Sequence, residues 1–367
     1  MKKNIRIGLM NGQNTMLRSG PKVFMDRLTK EIDSLGLLNQ NEFDIWLNLS
    51  FKKVPNFVLK KKPIVIRFDG IWKLKLLSSK SPALNLVAES INALADNFAN
   101  KTLKTNFLLS NGIIYQSNFS KRMVERHISN SSKDSVIIYN GVDIEKFFPS
   151  KSNNTTKKIN ILVSHKLWPI KRFDQIPIII KELLNRHIDV HVNVLGDGIL
   201  NPLFFFENSL IRFKNEVIKL GLEDKFTFHG HIDPELLPSF YRSNDLMLNL
   251  SFADPCPNVV IEAMASGLPV IAPNHGGIPE LVCISDLLIK ENINEENFFS
   301  FYDYSNFPLI DPIEYADRII YAKDNISFLK NTMRDIAVSK FNIDNVATKY
   351  LNFLNTVFLS YQRQIKN

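Results

Sequence analysis

The chain of 367 residues has little cysteine and no long apolar run. Its two cysteines, Cys256 and Cys283, are too few for a disulfide framework, so the sequence predicts a protein of the reducing cytoplasm. No stretch approaches the roughly 18 uncharged residues that a membrane-spanning helix needs. The N-terminus has a basic start, but Arg6 interrupts its apolar segment, which is typical of a first strand rather than a signal peptide. A hydrophobic content of 45% and a charged content of 22% are typical of a soluble globular protein.

Common metal and nucleophile motifs are also missing. The sequence has no Asp-x-Asp pair, no zinc-ligand spacing, no P-loop, no G-x-S-x-G and no HEXXH-type pair. "GDG" at 196–198 lacks the third glycine of a dinucleotide fingerprint and is interpreted as a tight turn. Four histidines near predicted strand ends are interpreted as turn residues in preference to metal ligands: His165, His229, His231 and His275. We therefore expect no metal and no resident cofactor.

The excess of positive charge lies entirely in the first half of the chain. Residues 1–150 contain 23 Lys+Arg and 12 Asp+Glu, whereas the remainder contains 45−23=22 basic and 37−12=25 acidic residues. Such a basic half indicates an anionic partner, which could be nucleic acid, a membrane surface or a phosphorylated substrate. Solvated surface lysine is the alternative for any single basic cluster.

Short apolar, β-branched runs alternate with helical patterns along the whole chain, which predicts an α/β protein with parallel sheets. The polar stretch 150–158 separates two such series and is interpreted as a linker. We predict an N-terminal Rossmann-like domain over 1–149, a second one over 159–342 and a C-terminal helix over 343–367 that packs back on the first. In this architecture the two domains face a central cleft, and ligands bind outside the carboxyl ends of the strands.

The segment "DPCPNVVIEAMASG", residues 254–267, carries two acids around a predicted helix start. Pro257 suits the first helical turn and Gly267 suits the position after the last one. The amides at the helix start carry a partial positive charge and form an anion site, while Glu262 could accept hydrogen bonds from a ribose diol. Asp254, before the helix, would face the polyhydroxyl part of the ligand that lies beyond the phosphate. The alternative is that Asp254 caps the helix and Glu262 lies on a solvated face.

Other loops that follow predicted strands point to the same edge. In "HKLWPIK", Lys166 and Lys171 offer two cations suited to a diphosphate leaving group, although they could equally be surface lysines. In "NHGG", Gly276 and Gly277 can take positive φ and admit a phosphate or sugar; an ordinary strand-to-helix turn is the alternative. In the first half, Gly20 follows the opening strand and its polar loop.

Taken together, these segments resemble the retaining glycosyltransferases of family 4, which have the GT-B fold. "ADPCPNVVIEAMASGLPVIAPNHGGIPELV" is similar to the donor-binding signature of that family, with two acids separated by seven residues and a later Gly-Gly loop. "VIIYNGVDIEKFFP" resembles its interdomain segment, and "KLWPIK" resembles its basic pair. The resemblance extends over nearly the whole chain and is most specific between residues 161 and 282.

The resemblance assigns roles to the residues of the predicted helix start. It implies that Glu262 binds the ribose of a nucleotide and that Asp254, at a position where the family usually has Glu, contacts hydroxyl groups of the transferred sugar. It further implies that the amides of Asn258 and Val259 meet sugar and phosphate.

It also implies roles outside that helix. Lys166, where Arg is usual, and Lys171 neutralise the leaving diphosphate, and Gly20 lies under the phosphates. The family often has a histidine at the end of an N-terminal-domain strand, close to the sugar. Here "VIRFDG" offers Asp69 instead, which is our candidate for that place.

We therefore predict a metal-independent, retaining glycosyltransferase that uses a UDP- or GDP-sugar donor and a saccharide or lipid-linked acceptor. Its expected role is bacterial cell-surface polysaccharide or lipopolysaccharide synthesis. The basic half is expected to bind the acceptor and to contact the anionic inner face of the cytoplasmic membrane, with no nucleic acid as partner. The alternatives are a nucleotide-sugar epimerase of the same fold and a nucleic-acid-binding protein, for which no reader motif is present.

Overall fold

The computed structural model describes residues 5–10, 20–59, 62–71, 90–91, 94, 100–130, 133–150, 158–197, 209–293, 295 and 307–366. The chain divides into two compact units. The first unit comprises Met1–Trp72, Ala93–Asp143 and Lys340–Asn367. The second unit comprises Lys73–Asn92 and Ile144–Ser339. Most of the predicted linker, 151–157, lies outside the described residues.

The first unit contains a parallel five-stranded sheet in the order β1-β2-β3-β4-β5. Residues 100–109 are helical as well. The bounds of its labelled elements are β1 Ile7–Leu9, α1 Gly20–Ser34, β2 Ile45–Leu49, β3 Ile64–Phe68, β4 Gly112–Tyr115, α2 Asn118–His127 and β5 Ser135–Ile137. The last helix of the chain, Ile343–Lys366, also belongs to this unit.

Both faces of this sheet are covered. Strands β1 to β4 are buried along their whole length, which explains why their sequences are continuous apolar runs rather than alternating ones. One core cluster combines α1 with the inner face of the last helix, where Tyr350 and Leu354 are fully buried. Helix α1 begins at Gly20, and Gly36, with a φ of 68°, follows its end as the sequence predicts.

The second unit contains a parallel six-stranded sheet in the order β11-β10-β9-β6-β7-β8. Its elements, with the helix α9 that ends at the unit boundary, are β6 Ile159–Ser164, α3 Ile176–Asn185, β7 Val190–Leu195, α4 Ser209–Lys219, β8 Phe226–Gly230, α5 Leu237–Arg242, β9 Leu246–Leu248, α6 Asn258–Ala265, β10 Val270–Pro273, α7 Ile278–Val282, β11 Leu288–Ile289, α8 Pro312–Asp324 and α9 Ile326–Phe341. The helix Ile343–Lys366 is therefore α10. Two parallel Rossmann-like sheets confirm the predicted α/β fold.

Proline and glycine set the helix boundaries of the second unit. A 3-10 turn over Phe173–Gln175 precedes α3, so Pro177 lies in the first turn of that helix. Helix α6 begins one residue after Pro257, which is the N-cap, and Gly267 follows its end with a φ of 76°. Within the described part of the chain, no helix is both long and apolar enough to cross a membrane.

Candidate donor site

The central pair of the site is an ion pair between Lys171 and Asp254. Lys171 ends a 3-10 turn in the loop after β6, and Asp254 lies in the loop after β9. Strands β6 and β9 are parallel neighbours in the sheet, so the loops at their carboxyl ends meet at one edge. A backbone hydrogen bond from Phe252 N to Ile170 O, 2.9 Å, joins the two loops. The structure therefore brings together two residues that are 83 positions apart.

The backbone around Asp254 is fixed by the glycine loop after β10. Gly277 N donates to Asp254 O at 2.9 Å, and Gly276 has a φ of 68°. A β-carbon on Gly276 would lie 2.9 Å from Asp254 O, which leaves no room for a side chain. Gly277 instead has a φ of −90°, so the positive φ considered for both glycines is taken by Gly276 alone.

The Asp254 carboxylate does not cap the helix that follows it. Its Oδ1 accepts a hydrogen bond from Cys256 N at 3.2 Å and its Oδ2 contacts Lys171, whereas the N-cap residue Pro257 makes no side-chain hydrogen bond. The capping alternative is therefore wrong for the structure as described.

Helix α6 presents its N-terminus beside this loop. Val260 N donates the first backbone hydrogen bond of the helix, to Pro257 O at 3.1 Å, so the amides of Asn258 and Val259 precede the helical ladder. Both residues are partly exposed. Amides at this position and the partial positive charge of the helix end suit an anion.

Glu262 lies on the second turn of α6 and is only 4% exposed. Its Oε2 accepts a hydrogen bond from Tyr241 OH at 3.0 Å. A solvated helix face, the alternative raised for this acid, is therefore wrong. A buried carboxylate that keeps a hydroxyl partner is built to accept hydrogen bonds, which is compatible with a second hydroxyl at its exposed edge.

Lys166 is exposed in the loop directly after β6. The loop turns sharply there, because Gly196 at the end of β7 approaches it so closely that a β-carbon would lie 1.7 Å from the carbonyl oxygen of His165. Gly196 has a φ of 123°, and Leu167 N donates to Asp197 O at 3.1 Å. The first two residues of the "GDG" stretch thus pack against the lysine loop, and Gly198 lies outside the described residues.

A buried charged cluster adjoins the lysine loop through Arg172, and no sequence motif indicates it. The Arg172 guanidinium forms two hydrogen bonds of 2.8 Å with the Glu291 carboxylate. His275 Nε2 and Tyr315 OH contact the same carboxylate at 3.0 and 3.1 Å. Burial opposes the negative charge, but the hydrogen bonds from His275 and Arg172 outweigh it and lower the pKa of Glu291 to about 2. The partners lie 16 to 119 positions from Glu291, so no local motif could reveal them.

Asp69 lies at the end of β3 in the first unit. Its side chain is 1% exposed and lies 2.7 Å from Arg67 Nη1. Arg67 also donates to Asn140 Oδ1 at 2.6 Å and lies over the ring of Phe24. Burial raises the pKa of Asp69 to about 6, and the attraction of Arg67 offsets only part of that rise. Contact between this carboxylate and a sugar therefore requires the ion pair to open.

Gly20 is the first residue of α1 and is exposed. Its backbone amide lies at a helix N-terminus, a position that suits a phosphate. The preceding loop, residues 11–19, lies outside the described residues.

No group of three or more His, Cys, Asp or Glu that could hold a metal ion occurs among the residues that the structure describes. Two of the histidines considered above are held by side-chain partners: His275 contacts Glu291, and His229 Nε2 lies 2.9 Å from Asn193 Oδ1.

Residues 143–304 match the family model described as "Glycosyl transferases group 1". This range includes both loops of the ion pair, helix α6 and the glycine loop. This region of the chain belongs to the group 1 glycosyltransferases.

Two curated relatives are similar over a longer stretch of the chain than the matched region. Spore coat protein SA of Bacillus subtilis is 25% identical over 260 residues, which is 65% of this chain and 63% of the relative. The O-antigen biosynthesis glycosyltransferase WclY of Escherichia coli is 27% identical over 227 residues, 60% of this chain and 56% of the relative. The match therefore spans less than two thirds of either relative.

Solved structures are similar in fold to almost all of this chain. Anabaena Alr3699/HepE, crystallised in complex with UDP-glucose, superposes with a TM-score of 0.64 at 16% identity and covers 96% of this chain and 100% of that one. At this identity the likeness supports the GT-B fold alone.

Proposed function

We propose that this group 1 glycosyltransferase transfers a sugar, with retention, from a UDP- or GDP-sugar to a saccharide or lipid-linked acceptor. The observation that carries the proposal is the pairing of Lys171 with Asp254 at the carboxyl edge of the second sheet, beside the N-terminus of α6. A cation, a carboxylate and helix-start amides at one edge match such a donor, because the cation and the amides suit its diphosphate and the carboxylate suits its sugar hydroxyls.

The ion pair defines the first event on donor binding. The side chains of Lys171 and Asp254 are 15% and 17% exposed, so both are reached from solvent. A bound diphosphate carries more negative charge than one carboxylate, so Lys171 turns to the phosphates and Asp254 becomes available to the sugar hydroxyls. Lys166, exposed on the same loop, adds a second cation. As the sugar–phosphate bond breaks, negative charge grows on the leaving diphosphate, and the lysines stabilise it without a metal.

The nucleotide end of the donor is assigned to α6. Asn258 and Val259 offer amides to sugar and phosphate, and Glu262 accepts hydrogen bonds from the ribose. Each carboxylate oxygen accepts more than one hydrogen bond, so the Tyr241 hydroxyl and the ribose can share Glu262. Tyr241 then orients the acid for the ribose.

Two residues of the first unit complete the proposed donor contacts. Gly20, at the start of α1, is assigned to the phosphates. Asp69 is assigned to the transferred sugar in place of a histidine, and this role requires its pair with Arg67 to open. The two assignments rest on the family resemblance.

The acceptor and the cellular role follow from charge and from one relative. We propose that the basic half contacts an anionic membrane that presents a lipid-linked saccharide, because residues 1–150 carry 23 basic and 12 acidic residues. Similarity to WclY, an O-antigen biosynthesis glycosyltransferase, supports a role in surface polysaccharide or lipopolysaccharide synthesis. Binding to vesicles with and without anionic lipid, at low and high salt, tests this part; equal binding under all conditions refutes it.

A donor-binding panel tests the proposal as a whole. UDP, GDP and their sugar conjugates are titrated into the full chain in EDTA, with thermal shift and calorimetry as readouts. Glu262→Ala and Lys171→Ala are expected to weaken binding strongly, whereas Lys181→Ala, an exposed lysine on α3, leaves it unchanged. Failure of every nucleotide to bind the wild type, or unchanged binding by both site variants, contradicts the proposal.

A further inference from the structure

The Glu291 carboxylate ties together segments that carry the donor site. It lies just after β11, and its side chain is 7% exposed. Oε1 accepts from Arg172 Nη2 and Tyr315 OH, and Oε2 accepts from Arg172 Nη1 and His275 Nε2. Each carboxylate oxygen thus accepts two hydrogen bonds. Because an ionised carboxylate only accepts hydrogen bonds, His275 must carry its proton on Nε2.

Arg172 links this carboxylate to the lysine loop. It directly follows Lys171, its side chain is fully buried, and its φ of 52° is one that side-chain-bearing residues rarely adopt. Its Nε also donates to Leu250 O at 2.8 Å, in the segment that leads to Asp254. The guanidinium therefore fixes the backbone next to Lys171 against the loop after β9.

His275 links the same carboxylate to Asp254. It directly precedes the glycine pair, where Gly277 N holds Asp254 O and Gly276 lies in close contact with Asp254. The backbone that holds Asp254 is thus one and two residues away from a side chain bound by Glu291.

We propose that Glu291 is a positioning residue of the donor site: by binding Arg172 and His275 at once, it holds Lys171 and Asp254 where the diphosphate and the sugar are received. The inference rests on the proposed function. Glu291 acts through its neighbours and touches no donor. A purely structural role, in which the buried pair only stabilises the second unit, predicts a different outcome in the test below.

The test compares Glu291→Gln with Tyr315→Phe. Both variants remove hydrogen bonds at the same carboxylate, but Tyr315 lies on α8, outside the loops of Lys171 and Asp254. UDP and GDP are titrated into each folded full-length chain by calorimetry. Glu291→Gln is expected to raise the Kd of the nucleotide that the wild type binds by about ten-fold or more, because misplacement from a distance is costly. Tyr315→Phe is expected to change that Kd less than about three-fold, although both variants lower the melting temperature.

A second readout follows the backbone directly. The amide of Gly277, which bonds Asp254 O, and the amide of Phe252, which bonds Ile170 O, should exchange hydrogen about ten-fold faster in Glu291→Gln than in the wild type. Tyr315→Phe should leave both rates within about three-fold. Equal acceleration by the two variants means that Glu291 acts through general stability, which overturns the inference.

A third variant covers the case in which Glu291→Gln does not fold. Arg172→Met combined with Glu291→Leu replaces the buried ion pair by apolar side chains, an exchange that proteins often tolerate. A folded double variant should still bind nucleotide about ten-fold more weakly. Wild-type affinity in this variant, or in Glu291→Gln, overturns the inference.

The Lys171→Ala variant separates this inference from the proposed function. If Lys171→Ala loses nucleotide binding while the Glu291 variants keep it, the result supports the proposed function and refutes the positioning role of Glu291. If the wild type binds neither UDP nor GDP, the proposed function falls, and the positioning role falls with it.

Discussion

Replacing Lys171 by methionine separates catalysis from stability most clearly. Methionine keeps the length and apolar stem of the side chain but removes its charge. In the proposed reaction Lys171 stabilises the charge that grows on the leaving diphosphate. A unit charge about 4 Å from another contributes about 4 kcal/mol at an effective dielectric of 20. Loss of one preorganised group of this kind typically costs about 10²–10³ in kcat, or about 3–4 kcal/mol. We therefore expect kcat of Lys171→Met to fall at least about 100-fold.

The stability of the same variant should hardly change. Lys171 and Asp254 are both partly exposed, so Asp254 remains hydrated when its partner is lost. Ion pairs of this exposure contribute about 1 kcal/mol or less, which corresponds to about 2–4 °C in a domain of this size. The assay is steady-state transfer with the best donor of the panel, together with the melting temperature.

Lys181→Met is the matched control, because Lys181 is an exposed lysine on α3. It should keep wild-type kcat. A Lys171→Met enzyme that retains kcat within about three-fold of the wild type, while folded, refutes the assignment of Lys171 to the leaving group.

The remaining predictions concern the glycine loop, the ribose acid and the buried acid of the first unit. Gly276→Ala should raise the donor KM, because the new methyl group would lie 2.9 Å from Asp254 O; Gly221→Ala, with a similar φ of 64° and no atom within 4 Å, should cost about 1 kcal/mol of stability and leave KM unchanged. Tyr241→Phe should raise the Kd of nucleoside diphosphate a few-fold, as measured by calorimetry, because it removes a hydroxyl that orients the ribose acid; unchanged affinity would argue against that role. Asp69 has a folded-state pKa of about 6 against an ordinary value of 3.8, so its contribution to stability is full below about pH 4 and is lost as pH rises through 6. The free energy of unfolding of the wild type relative to Asp69→Asn should therefore fall by about 3 kcal/mol between pH 4 and pH 7, as chemical denaturation can measure; a flat difference contradicts the raised pKa.

Local rules predicted much of the fold. The buried parallel strands appear in the sequence as continuous apolar runs, and Gly36 and Gly267 mark helix ends through their positive φ. Helix boundaries are less evident from the sequence. Residues 173–185 form a 3-10 turn followed by α3 rather than one helix, because Pro177 is accommodated only in a first turn.

The donor site was only partly predictable. The segment 254–267 and the lysine loop carry recognisable patterns, and the structure joins them through the ion pair. The contacts that support the site could not be predicted from the sequence, because they join residues that are far apart along the chain. Tyr241 reaches Glu262 from a different helix, and Arg172 reaches Glu291 across 119 positions. Nor does a sequence reveal that Arg172 takes a positive φ, since such a residue is usually glycine.

The burial of Glu262 and Asp69 could not be predicted from the sequence either. Glu262 and Asp69 sit in segments whose polarity alone would allow an exposed side chain, yet the structure buries both. Burial is decided by tertiary neighbours, here Tyr241 for one acid and Arg67 for the other. For Asp69 this changes the expectation, because a buried, ion-paired carboxylate must be released before it can contact a sugar.

Product analysis of donor turnover tests the central claim most directly. The full-length chain is incubated in EDTA with UDP- and GDP-sugars and a saccharide or lipid-linked acceptor, and the products are identified by mass spectrometry and NMR. The account predicts that at least one donor yields nucleoside diphosphate together with a sugar transferred with retained anomeric configuration. An epimerised product without need of an acceptor would favour the epimerase alternative, and the absence of binding, hydrolysis or transfer with every donor would contradict the account.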